Sequence, residues 1–239
     1  MAVRAWLEGH SFDLGALAQL FSEGDPCVAA DGAGFFLTSA DFDGLINSSK
    51  ELYDVAASTL RQINGVARVV DSGFRPVTLV GRFTDDVGNV HAVVSADTIE
   101  ARSQVFAVAV VATPSDQPQP EPPPPGPGFV QLAKAHPDLS DALRILGQPS
   151  SQLGWVDLYK VFEIVRGSAG SGDALVSQNL ASRATISAFC VSANQPTVSG
   201  DDARHARLPG DIPKKTMTLP EARAWIGKLV VGWMSSLKN

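Results

Sequence analysis

The densest group of chemically capable side chains in this 239-residue chain is the octapeptide GDDARHAR, residues 200–207. It sets Asp201, Asp202, Arg204, His205 and Arg207 within seven positions. Imidazole changes charge near neutrality, so His205 could serve as a general acid or base, with the neighbouring Arg204 stabilising charge on a reacting phosphate. The same stretch also suits anion recognition without chemistry. Arg207, Lys214 and Lys215 can neutralise phosphates, and Asn194 just upstream offers a directional amide. A third role is architectural, with Asp201 and Asp202 orienting the arginines through ion pairs. The segment lies in a polar connection, residues 192–218, between two helical patterns, and connections of that length are often functional.

Other motifs exclude more than they suggest. GSAGSG, residues 167–172, follows a helical pattern and precedes Asp173, whereas a phosphate cradle needs a preceding strand and a terminal Gly-Lys-Ser/Thr; a flexible loop is expected. DGAGFF, residues 31–36, lacks the third glycine of a dinucleotide fingerprint. The four histidines are dispersed, and Cys27 and Cys190 stand far apart in apolar surroundings, as buried thiols of a reducing compartment would. No metal and no cofactor is expected. The longest strongly apolar run, Val105 to Ala112, falls far short of the roughly 20 residues of a membrane span. The first ten residues carry Arg4 and Glu8 where a secretory signal would be uninterrupted, so a cytoplasmic location without membrane contact is expected.

The elements that must position GDDARHAR divide at a proline run. Residues 113–128, TPSDQPQPEPPPPGPG, hold eight of the sixteen prolines and read as an extended linker, which predicts an N-terminal domain over 1–112 and a C-terminal domain over 129–239. The charge differs in sign between them. The first carries 7 basic against 14 acidic residues and the second 12 against 9, so a polyanion such as RNA would meet the C-terminal half.

The predicted class is α+β: a mixed, largely antiparallel N-terminal domain, a Pro-rich linker and an all-helical C-terminal bundle. VRAWLEG reads as a strand. SFDLGALAQLF reads as a helix capped by Ser11, and CVAADGAGFFLTS as a hairpin about Asp31-Gly32. A second helix has Ser48 and Glu51 as a capping box, with Gly65 as its left-handed stop. Two β runs flank DDVGN, and ARSQVFAVAVVA adds another. In the C-terminal half, Leu139, Ala142, Leu143 and Leu146 form a stripe that Gly147 and Pro149 terminate. WVDLYKVFEIV is apolar nearly all round, a third helix starts at Asp173, and Thr218 with Glu221 caps the last.

On WVDLYKVFEIV, SAFCVSAN, GDDARHA and MTLPEARAWIGKLVVGWM the last 90 or so residues resemble a helical C-terminal module of uncharacterised bacterial proteins. More remotely they are similar to the HEPN superfamily of helical bundles, many of which are metal-independent RNases of toxin and phage-defence systems acting at a dimer interface. Those nucleases carry an Arg, four to six residues and a His. Here Val198, Ser199 and Gly200 occupy the corresponding places before His205, which leaves Arg204-His205 as the rearranged equivalent. Two functions are therefore expected: a two-domain binding protein whose bundle recognises a partner or forms a homodimer, or a HEPN-like RNase using Arg204 and His205.

Overall fold

The computed structural model describes residues 2–92, 124–149, 153–208 and 215–238. Strand β1 (Arg4–Glu8) is the centre of a five-stranded sheet with β2 (Cys27–Asp31), β3 (Gly34–Thr38), β4 (Thr78–Thr84) and β5 (Val90–Ala92), in the order β2-β3-β1-β4-β5. Every pairing is antiparallel, as the alternating pattern and short turns require. That alternation sends Ala5, Leu7, Val28, Leu37 and Phe83 into the core. On the opposite face Trp6 and Phe36 pair across β1 and β3, under the guanidinium groups of Arg82 and Arg4. The expected apolar strand over 101–112 lies outside the described residues.

Local chemistry differs from expectation at several ends. The β2–β3 hairpin forms, but its turn is Gly32-Ala33. The Asp31 carboxylate accepts from the Ala33 N–H at 2.8 Å, and Gly34, at φ 131°, takes the conformation reserved for glycine. Helix α1 (Ser11–Leu20) is capped by His10, whose ring nitrogen accepts from Phe12, because Ser11 already has helical backbone. Helix α2 (Ser49–Val70) starts without a side-chain cap. Ser48, at ψ 68°, is off the extended geometry that would bring its hydroxyl over the first turn.

Gly65 does not stop α2, which runs on to Val70. It is a crossing point instead. A Cβ on Gly65 would lie 2.1 Å from the Leu143 carbonyl oxygen of α4 (Pro137–Leu146), and one on Gly147, which ends α4 as expected, 1.7 Å from the Arg61 carbonyl oxygen. Two missing side chains thus let α4 lie directly on α2, with Leu139, Ala142, Leu143 and Leu146 buried along the contact.

The last residues of the expected linker are helical. Pro125 opens α3 (Pro125–Ala135), where a residue without an N–H removes no intrahelical bond. Residues 113–123 lie outside the described set. Beyond α4 come α5 (Trp155–Ala169), α6 (Gly172–Ser177), α7 (Arg183–Asn194), α8 (Pro196–Ser199) and α9 (Leu219–Ser236). The third expected helix is thus two. Ser171 and Ser182 cap them separately through their hydroxyls, and Asp173 instead forms an ion pair with Arg183 at 3.0 Å. Helix α9 begins with the predicted reciprocal box of Thr218 and Glu221. Helix α2 touches the sheet on one side and α3, α4 and α9 on the other, so one buried apolar cluster runs from β1 to Trp233.

Candidate functional site at the end of helix α7

Helix α7 ends at Asn194 because Pro196 has no N–H to continue it and restricts Gln195 to an extended backbone. The chain makes the short α8 and a 3-10 turn over Gly200–Asp202, then folds back so that the Arg204 N–H donates to the Ala193 carbonyl at 2.8 Å. This return pins the backbone of Arg204 to the helix end.

The Arg204 side chain is held as well. Its guanidinium lies 4.3 Å from the centre of the Tyr159 ring, donates to Asn194 Oδ1 at 3.4 Å and stands 3.8 Å from Glu163 Oε1. Asn194 in turn donates its amide N–H to the Cys190 carbonyl at 2.7 Å, which turns its oxygen toward Arg204. Under Tyr159 is an aromatic block in which the fully buried Phe189 touches Trp155, Tyr159, Phe162 and Trp225 at centroid distances of 4.8–6.1 Å. The block makes the floor stiff. Arg204 is anchored on an aromatic plate with part of its side chain, 35% exposed, toward solvent.

His205, Arg207, Asp201 and Asp202 are exposed. The carboxylate that meets Arg204 comes from Glu163 on α5, a residue that sequence reading passed over because nothing in the helical pattern ties it to position 204. Lys215 is on a separate groove with Ala184, Thr185 and Glu221, toward the first turn of α7 and roughly 15 Å along the helix from Asn194 at 1.5 Å per residue. Lys214 lies outside the described residues. The structure therefore joins Arg204 to Asn194, leaves His205 and Arg207 exposed on the chain that follows, and sets Lys215 apart. Cys190, beside this group, is held as a thiol: burial raises its pKa, and Glu163 adds to the rise, against the opposing pull of Arg166 and Tyr159.

A second charged group was not read from sequence at all. Arg68 on α2, Arg75 on the following loop and Arg223 on α9 line a cavity of about 320 Å³, floored by Phe74, Leu146 and Leu158. Arg68, only 6% exposed, donates to the carbonyls of Phe74, Leu146 and Gln148, while Arg223 donates twice to the Leu153 carbonyl. Burial first and the like charge of Arg223 second, against the pull of Asp157, together lower the Arg68 pKa to about 10. One signal was available: Leu60, Asn64 and Arg68 recur every four residues, so a polar pair continues an apolar stripe.

Among the described residues no three His, Cys, Asp or Glu side chains are grouped to hold a metal, and no helix is long and apolar enough to cross a membrane. Compared with protein-family models, curated proteins and solved structures, the chain matches none.

Proposed function

We propose that the chain is a binding protein whose C-terminal helices recognise an anionic partner, RNA being the polyanion to test first, at the surface made by Arg204, His205 and Arg207. One observation carries this reading. The Arg204 guanidinium is already committed to Tyr159, Asn194 and Glu163, which is the preparation of a fixed contact rather than of a group that turns onto a reacting phosphate. Exposed Arg207 and His205, close to it in sequence, supply further hydrogen-bond donors.

The test is fluorescence anisotropy of a labelled single-stranded RNA over a salt series, with the same RNA followed on denaturing gels. Binding that falls with rising salt, weakens in Arg207→Ala and leaves the RNA intact is the expected result. Cleavage that disappears in His205→Ala would replace this reading with the HEPN-like nuclease. No binding at low salt would remove RNA as the ligand. Arg204→Ala should cost about 1 kcal/mol, from the part-exposed cation–π contact and a long ion pair, and lower Tm by roughly 2–4 °C. A fall above 10 °C would make Arg204 chiefly architectural.

A further inference from the structure

We propose that Arg204 takes an unpaired RNA base rather than a phosphate, stacking it on the outer face of its guanidinium with Tyr159 beneath. This rests on the RNA-binding role proposed above and names what that surface selects: strands whose bases carry an amino group.

A guanidinium offers a ligand two flat faces and an edge of N–H donors. In Arg204 one face is already used, since the central carbon lies 4.3 Å from the centre of the Tyr159 ring. Part of the edge is used as well. Its Nη1 donates to Asn194 Oδ1 at 3.4 Å, and its Nη2 stands 3.8 Å from Glu163 Oε1. Yet 35% of the side chain still meets water. What remains for a ligand is chiefly the second face, which suits a flat π system better than a tetrahedral anion.

Charge favours the same ligand. A phosphate seated on Arg204 would also meet the Glu163 carboxylate, itself 39% exposed, and like charges repel. A neutral ring meets no such repulsion. The carboxylate then becomes an acceptor for an exocyclic amine, present on adenine, cytosine and guanine and absent from uracil. Phosphate contacts fall instead to exposed Arg207, three residues further along the chain.

The support is built before a base arrives. Tyr159 is buried and lies nearly parallel to the fully buried Phe189, with ring planes 13° apart. The Arg204 backbone is tied to the Ala193 carbonyl. Little ordering is left to oppose binding.

The experiment is fluorescence anisotropy of the full chain with three labelled strands of equal length: oligoadenylate, oligouridylate and an abasic ribose-phosphate strand. Oligoadenylate should bind about tenfold tighter than the abasic strand, with oligouridylate between them. In Arg204→Lys, which keeps the charge and loses the plane, this preference should fall toward unity while the salt dependence of binding stays as in the parent. An Arg204 that only supported the fold would, on replacement, weaken all three strands alike. Glu163→Gln, at a part-exposed position, serves also if Arg204→Lys does not fold, and it should tighten the abasic strand several-fold more than oligoadenylate. Equal affinities in the parent would overturn base stacking and leave the RNA-binding role standing, whereas no salt-dependent binding of any strand would remove both. A preference that survives in folded Arg204→Lys, or that Glu163→Gln does not narrow, would overturn the stacking as well.

Discussion

Replacing Gly65 by alanine puts the crossing of α2 and α4 to a quantitative test. The added methyl would sit 2.1 Å from the Leu143 carbonyl oxygen and 2.8 Å from its carbon, both backbone atoms that cannot rotate aside. Carbon and oxygen in good contact stand about 3.3 Å apart, so the helices must separate by about 1.2 Å locally. A gap of that size removes a quarter to a half or more of the dispersion attraction along the contact, here made by Leu139, Ala142, Leu143 and Leu146. Overpacking of this kind costs about 1–3 kcal/mol and occasionally more. Intrinsic propensity acts in the other direction, since alanine favours a helix interior over glycine by about 1 kcal/mol. The clash involves backbone on both sides, so it wins, and a net loss of about 2 kcal/mol is expected. For a chain of this size that is a fall in Tm of roughly 4–8 °C. The matched control is Gly167→Ala in α5, where the new methyl meets nothing within 4 Å and propensity alone should act, raising stability by up to about 1 kcal/mol. Denaturant unfolding of both variants by circular dichroism gives the comparison. A Gly65→Ala protein as stable as the parent, beside a stabilised Gly167→Ala, would refute the close crossing.

Two further outcomes follow from polar groups in and on the core. Asn64 donates to the Val77 carbonyl at 2.9 Å and accepts from the Val77 N–H at 3.2 Å, acting as a short extra strand against the start of β4. Asn64→Ala leaves both backbone groups buried and unmatched, a loss of about 2–4 kcal/mol, and an unfolding free energy within 1 kcal/mol of the parent would contradict it. At the start of α9, the Thr218 backbone N–H and hydroxyl hold the Glu221 carboxyl below its ordinary range. The sign follows: a depressed folded value stabilises above the unfolded pKa of about 4.3 and is lost as pH falls through the folded one. Helicity monitored from pH 6 to 3 should therefore show a smaller acid loss in Glu221→Gln than in the parent, and superimposable profiles would count against the capping box.

What could be read from the residues was whatever local chemistry decides. Thr218-x-x-Glu221 makes its cap within one turn, and Gly147 with Pro149 ends a helix by removing a side chain and then an N–H. The hairpin and the antiparallel sheet followed from alternation, while the turn itself lies one residue beyond the pair that turn chemistry pointed to. Gly65 was misread because a glycine that stops a helix and one that admits a neighbour are the same residue; only Leu143, 78 positions later, distinguishes them. Arg204 and Asn194 were legible as polar side chains in a long connection, but their partners were not. Glu163 and Tyr159 come from another helix, and the return of the chain onto Ala193 decides that they meet. The arginine cavity was illegible for the same reason, since Arg68 and Arg223 are brought together only by the packing of α9 on α2.

Helix α2 is enclosed on two sides, by strands encoded with it and by helices encoded after residue 123. Neither portion can hide that helix from water unaided. A chain severed between Ala92 and Pro124 would yield two fragments, each exposing the surface the other covers, and separately produced fragments should reconstitute the native molecule on mixing, as the halves of a split reporter do.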